Sequence, residues 1–306
     1  MSEQPKTVSN TQTLTFMVVL CTTCAMILAV LATSLRERQE KAEELNRSQE
    51  MLIAAHVFSP EGVFYVLDDN GEYVSAKVQR EGVLVPSQEK TYASSDEIFD
   101  IYQLRTNAFL VNSNGERLTF DEAGIDKGDY ISQNMKSGYA NLPLKLVYEV
   151  SPNGIPAGKM QEGKIDAEAY IIPVKGFGLW DAIYGYIAFK SDGDTVIGTA
   201  WYDHKETPGL GANIANPVWQ GQFPGKALFL DGAGSKDVAP LGITVVRGKA
   251  NEVFAGSLSK EKSAVDGMAG ATLTGNGVTK AFKDSLGPYR EFLMILNDSY
   301  LTKKQP

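Results

Sequence analysis

Cysteine and histidine are nearly missing from this chain of 306 residues, which holds two of each: Cys21, Cys24, His56 and His204. Both cysteines lie in an apolar run near the N-terminus, so the remainder has neither disulfides nor cysteine-ligated metal. Two histidines so far apart in sequence suggest no histidine metal cluster. Any redox chemistry therefore has to come from an organic cofactor. An excess of basic residues is lacking too: 29 Lys and Arg face 37 Asp and Glu, and the net charge is −8 with the acids scattered. That balance argues against a nucleic-acid partner. No glycine-rich dinucleotide fingerprint is evident, and no repeat of about 20–50 residues. Long hydrophobic runs are limited to one, which excludes a multi-span ion channel.

That run, Leu14–Leu35, carries no charged residue. At about 22 residues it suits one crossing of a hydrocarbon core roughly 30 Å thick. A cleaved signal peptide is the competing reading. The run is longer than a typical h-region, and it passes into a charged segment with only the poor cleavage site Ala32-Thr33-Ser34, which favours an uncleaved anchor. Cys21-Thr22-Thr23-Cys24 has the spacing of a thiol-redox pair, but inside an apolar helix a thiol stays protonated and inert, so packing is the better reading. Lys6 is the one basic side chain before the span, whereas Arg36, Arg38, Lys41 and Arg47 follow it. By the positive-inside rule this places the C-terminal part in the cytoplasm.

The chain thus divides into a short tail (1–13), a transmembrane helix (14–35), a charged linker helix (36–60) and a soluble part (61–306). In the linker Glu37 precedes Lys41 by four positions, a weakly stabilising helical pair. The soluble part reads as short strands separated by turn residues. Val63–Leu67 precedes the turn Asp68-Asp69-Asn70-Gly71, Lys145–Val150 precedes Ser151-Pro152-Asn153-Gly154, and Tyr170–Val174 looks buried. Tyr184–Phe189 and Thr195–Tyr202 flank Ser191-Asp192-Gly193-Asp194 in the clearest hairpin. Ala227–Leu230 and Ile243–Val246 add two strands, and Asn276–Leu286 reads as a short helix with Val278, Ala281, Phe282 and Leu286 on one face. Residues 72–135 show little pattern. The expected fold is α+β: one N-terminal membrane helix followed by a single domain with a largely antiparallel sheet.

Three stretches carry candidate chemistry. Asp266-Gly267-Met268-Ala269-Gly270-Ala271-Thr272-Leu273-Thr274 sets two threonine hydroxyls among small residues just ahead of a helix, where a phosphate can approach backbone N–H groups. The plainer alternative is that Thr274 caps the helix and Asp266-Gly267 closes a turn. His204-Lys205-Glu206-Thr207-Pro208-Gly209-Leu210-Gly211 forces a turn with exposed amides next to an acid and a hydroxyl, a set able to hydrogen-bond the edge of a planar heterocycle. An ordinary turn leaving a hairpin accounts for it equally. Gly176-Phe177-Gly178-Leu179-Trp180 offers either a flat surface for an aromatic ligand or a strand bend with a core Trp180.

Taken in order, these pieces resemble a known pattern: an N-terminal anchor, Gly-Phe-Gly-Leu-Trp before a Tyr-Gly-Tyr strand, Glu206 to Gly211, and Asp266 to Thr272. The set is similar to the covalent FMN-binding domain family, and within it to the C-subunit family of sodium-translocating NADH:quinone reductases. The related G subunit of ion-translocating ferredoxin:NAD reductases shares the flavin motif. A flavin-free, membrane-anchored binding or sensory module is the rival of another class. In the family, FMN is joined through its phosphate to the last threonine of Asp-x-x-Ser/Thr-Gly-Ala-Thr. The resemblance therefore implies Thr272 as the attachment site, with Ala269 standing where Ser or Thr is usual. It also implies attachment by a separate flavin transferase, a flavin region of about residues 170–290, and a ring lying on Glu206–Gly211 with Leu179 or Trp180 nearby. Its implied setting is a complex with the B, D and E subunits in the bacterial inner membrane. The flavin domain would then be periplasmic, the opposite of the charge count.

Overall fold

The computed structural model describes residues 9–68, 71–79, 82–159, 167–230 and 236–304, and the chain divides into two units at Asn46/Arg47. Helix α1 (Asn10–Ala54) begins in the first unit and ends in the second. Among the described residues it is the one helix long and apolar enough to cross a membrane. Its threonines satisfy their own hydroxyls: Thr22 Oγ1 and Thr23 Oγ1 donate to the carbonyls of Val18 and Val19, each at 2.8 Å. This lets them sit in hydrocarbon without an orphan donor. Farther along, Arg36 pairs with Glu40 and Lys41 with Glu37, all four side chains exposed.

The second unit starts inside the helix. Met51, Leu52, Ile53 and Ala54 are buried, so the last turns of the charged segment belong to the folded unit rather than to a solvated linker. Strands β1 (Phe64–Leu67), β2 (Tyr73–Val78) and β3 (Leu84–Pro86) form an antiparallel meander. The expected turn at 68–71 falls partly outside the described residues, although Gly71 N donates to Asp68 O at 2.9 Å. Residues 72–79 and 82–135 turn out to be well structured. Helix α2 (Ser95–Arg105) opens with a capping box between Ser94 and Glu97, and α3 (Phe120–Ala123) with another between Thr119 and Glu122. Helix α4 (Lys127–Asn134) is capped by Asp126.

Strands β4 (Thr106–Val111), β5 (Arg117–Leu118), β6 (Lys145–Val150), β7 (Ala169–Phe177), β8 (Ala182–Phe189) and β9 (Val196–Asp203) form a six-stranded sheet in the order β5-β4-β6-β7-β8-β9. Every pairing in it is antiparallel, as the hairpin pattern led one to expect. The expected strand Tyr170–Val174 is longer, because β8 pairs along Tyr170–Phe177 while β6 pairs with Ala169–Ile171 at its start. One face packs its Val147, Ile172, Val174 and Ile187 against Phe282, Leu286 and Tyr289 in the main core. The other face carries Tyr148, Tyr186 and Tyr202, with the last two rings stacked at 5.0 Å.

Ala227–Leu230 is not a strand. Only single bridges form, Thr195 with Ala227 and Phe229 with Leu241, because the segment's N–H groups are taken elsewhere. Ala227 N donates to Lys262 O, Leu228 N to Asp194 O, and Phe229 N to Asp194 Oδ1, each at 2.9 Å. The strand expected at Ile243–Val246 shrinks to β10 (Thr244–Val245), paired in parallel with β11 (Ala264–Val265). Short helices α5 (Pro217–Gln220), α6 (Ala250–Val253) and α7 (Leu258–Lys262) fill the connections, and α8 (Thr272–Leu286) and α9 (Arg290–Lys304) close the domain. Helix α8 begins four residues ahead of the expected Asn276. It lies on β7 through Gly176, Gly277 and Ala281, where a Cβ on either glycine would overlap the opposite element.

Candidate functional site

The loop from β11 into α8 is tied down at its first residue. Asp266 N donates to Gln222 Oε1 (2.8 Å), its carbonyl accepts from Trp219 Nε1 (2.9 Å), and Oδ1 accepts from Ala250 N (2.8 Å). The carboxylate thereby serves the first turn of α6. Gly267 N donates to Gly248 O at 2.8 Å, and a Cβ at 267 would overlap the carbonyl of Val246. Gly270, at φ 74°, makes the left-handed step that a side chain disfavours. Ala271 N then bonds to Met268 O, and the helix starts at Thr272.

No side chain caps this helix: Ala271 occupies the cap position with nothing to offer. The N–H groups of the first turn, from Thr272 on, point out of the helix end without an intrahelical acceptor, on the positive end of its dipole. Thr272 is exposed at the first helical position and Leu273 is exposed beside it. Thr274, expected as the cap, is instead buried in the first turn at 1% exposure. Its Oγ1 donates outward to Glu206 Oε2 at 2.5 Å, and that contact turns the hydroxyl away from the helix end.

Glu206 is the other surprise. It is 5% exposed, and both oxygens are taken by protein donors: Oε1 accepts from Leu179 N (2.9 Å) and Trp180 N (3.0 Å), Oε2 from Thr274. The carboxylate therefore faces inward, with its hydrogen-bonding capacity spent on the protein itself. Thr207, Pro208 and Gly209 are exposed, and Leu210 N closes the turn on Thr207 O at 3.1 Å, with Gly209 at φ 74°. Gly211 is buried because Glu206 and Thr274 leave no room for a Cβ there. Leu210 lies over Gly270 and so joins the two stretches that the sequence singled out separately.

The third stretch arrives as the β7–β8 turn. Trp180 is not a core residue: it is 67% exposed, with Nε1 donating to Thr207 Oγ1 at 3.0 Å. Asp181 of the same turn accepts from Lys205 Nζ, which follows β9, at 2.5 Å, and that hydrogen bond holds the Asp181 carboxyl below its ordinary range. Leu179, Trp180, Leu210 and Leu273 are all exposed around the start of α8, an apolar surface next to a polar helix end.

Two residues were not singled out from the sequence. Arg247 and Lys249, in the connection from β10 to α6, line a cleft of about 410 Å³ together with Asp266, Gly267, Gly270 and Thr272. Both side chains are exposed, and Lys249 makes only a loose 3.7 Å pair with Glu252. The signal available was Arg-Gly-Lys directly after two valines, legible only once β10 is known to run beside β11. An exposed hydroxyl, an uncapped helix end and two cations around one cleft suit an esterified phosphate, which keeps one negative charge. The residues present fit FMN attached at its phosphate, with the ring on the neighbouring apolar surface.

The family model of an FMN-binding domain matches residues 178–287, the stretch that holds these three segments. The chain is 39% identical over 265 residues to the C subunit of the Na(+)-translocating NADH-quinone reductase of Chlamydia caviae, covering 84% of this chain and 83% of that one. The Yersinia pestis C subunit is 28% identical, covering 90% and 88%. A crystal structure of the C subunit from Parabacteroides distasonis superposes with a TM-score of 0.53 at 25% identity, covering 85% of this chain and 96% of that one. The chain belongs to the family of Na(+)-translocating NADH-quinone reductase C subunits.

Proposed function

We propose that Thr272 carries FMN through a phosphate ester and that the loaded domain is an electron-carrying subunit of a sodium-pumping NADH:quinone oxidoreductase. The observation that carries this reading is Thr272 itself, an exposed hydroxyl on an uncapped helix end, facing a cleft that Arg247 and Lys249 line. Bound FMN would supply single-electron transfer between an iron–sulfur centre in the membrane subunits and the flavin of the B subunit, coupled in the complex to Na+ export. Everything else falls to the protein. The first-turn amides of α8 and the two cations hold the phosphate charge, and Asp266 keeps their loop in place. Leu179, Trp180, Leu210 and Leu273 provide the ring surface.

Attachment forms a phosphorus–oxygen bond to Thr272 Oγ1, with loss of the hydroxyl proton and departure of AMP from FAD, on a separate flavin transferase. The B, D and E subunits are the proposed neighbours. The relatives carry the name of the C subunit, which supports this reading over a G subunit, and the FMN-binding match supports it over a flavin-free module. We place the domain on the periplasmic side of the bacterial inner membrane, although the basic residues after the span count the other way.

Co-expression with the transferase, followed by a denaturing gel under ultraviolet light, tests the attachment. A fluorescent band should appear and vanish in Thr272→Ala. Persistence of the band in that variant would overturn the site, and an unmodified intact mass in the native chain would overturn the covalent flavin. For orientation, protease added outside spheroplasts should digest the domain; an intact domain would refute the periplasmic placement.

A further inference from the structure

We infer that Glu206 is a positioning residue: it locks the Leu179–Trp180 turn to the first turn of α8, so that ring surface and phosphate anchor move as one body. The inference rests on the reading of Thr272 as the flavin threonine.

Three segments meet at this one carboxylate. The β7–β8 turn sends it two consecutive amides, helix α8 sends the Thr274 hydroxyl, and Glu206 itself lies at the head of the Thr207–Gly211 turn. Two acceptor oxygens receiving three donors, at 5% exposure, form a closed set that no other group on the turn can replace. The surroundings are cut to fit it. A Cβ at Gly178 would overlap Glu206 Oε1, and one at Gly211 would overlap both Glu206 Oε2 and Thr274 Oγ1. Two glycines shaped around one side chain are the mark of a joint rather than of a general turn. Its outer layer is the Trp180 Nε1 bond to Thr207 Oγ1, which sets the exposed indole at a fixed angle.

The consequence follows from the spacing along the helix. Thr274 lies two residues after Thr272, in the same first turn, so holding one hydroxyl fixes the helix end that presents the other. Without the joint, the 178–181 turn would meet α8 only through the packing of Phe177 and Gly178 on Gly277, with no polar tie between them. A flavin tethered by a flexible ribityl chain would then choose its own ring position; with the joint, an oriented surface is present before the flavin arrives.

The test uses the full chain in two forms, unflavinylated and loaded. In the unflavinylated chain, Thr274→Val keeps the side-chain volume but removes the donor to a buried oxygen, while Thr274→Ser keeps the donor. Amide exchange at Leu179 and Trp180 should speed at least tenfold in Thr274→Val and stay near native in Thr274→Ser. Glu206→Asp, too short to reach both segments, should behave like Thr274→Val, and it serves if the valine variant fails to fold. In the loaded chain the same variants should show faster depolarisation of flavin fluorescence and stronger iodide quenching, with attachment at Thr272 retained. Exchange at both amides within twofold of native in the folded variants would overturn the joint. Native anisotropy and quenching despite fast exchange would overturn its link to the flavin. Absence of any flavin in the native chain counts against Thr272 alone, because the exchange experiment judges the joint without it.

Discussion

Gly277 in helix α8 stands so close to Phe177 that a Cβ there would overlap the strand's carbonyl oxygen. The helix that presents Thr272 is thus seated directly on the backbone of β7. Two effects compete in a Gly277→Ala variant. Helix propensity favours alanine by about 1 kcal/mol, while overpacking against an immovable backbone costs about 1–3 kcal/mol. The second should win, since the neighbour is main chain at the end of β7, paired to Ala182 of β8. Urea unfolding of the variant is expected to show a lower midpoint with an unchanged slope. A raised midpoint would mean that the helix is looser on the sheet than its geometry implies.

Arg247 and Lys249 are expected to act on flavin attachment and not on stability. Each side chain is exposed, so a screened charge-assisted contact to phosphate is worth about 1 kcal/mol, or about fivefold in rate. Arg247→Ala and Lys249→Ala should each slow covalent incorporation several-fold in timed intact-mass measurements, and the double variant more. Added salt should narrow the difference. Unchanged incorporation in the double variant would place the phosphate elsewhere.

Glu50 gives the folded unit a pH dependence. Burial raises its carboxyl to about 7 from an ordinary 4.5. The unfolded chain therefore releases this proton at lower pH than the folded one. Stability favours the protonated form and declines as pH climbs from about 4.5 to about 7, with the penalty complete above that. Glu50→Gln should accordingly be more stable than native at pH 8 and equal to it near pH 4. Thermal melting at both pH values checks the sign, and a variant no more stable at pH 8 would contradict it.

Arg105 is buried where α2 meets β4, with Nε and Nη2 donating to Ser151 O at 3.1 and 2.8 Å and Nη2 also paired to Glu168. Breaking a buried pair by removing one partner typically costs about 3–5 kcal/mol, whereas an apolar replacement of similar volume costs far less. Arg105→Ala should lower the melting temperature sharply, and Arg105→Met together with Glu168→Gln should recover most of it. Equal losses in the two cases would show that the guanidinium hydrogen bonds to Ser151 O, absent from both variants, matter there rather than the unpaired charge.

Much of the fold is written locally. The uncharged run Leu14–Leu35, the turn Ser191–Asp194 between alternating strands, and the apolar stripe Val278–Ala281–Phe282 each follow from neighbours within a few residues. So do the capping boxes at Ser94 and Thr119, whose spacing to Glu97 and Glu122 was present in the region that showed least pattern. The start of α8 was harder to see. Gly275 and Gly277 look like helix breakers, yet both are helical; a Cβ at 277 would overlap the Phe177 carbonyl and one at 275 would crowd Val245, which accounts for glycine at both places.

What the chain determined by itself was the order of its motifs, and with it the family and a threonine among small residues. Tertiary structure decided what surrounds that threonine. It turned Thr274 from a cap into a donor for a carboxylate 68 positions away in the sequence, buried the Glu206 carboxylate among protein donors, brought Trp180 to the surface, and set Arg247 and Lys249 on the cleft. No local rule contains those placements. They depend on the register of the β7–β8–β9 sheet and on the parallel pairing of β10 with β11, which bring distant segments together only when the whole domain has closed.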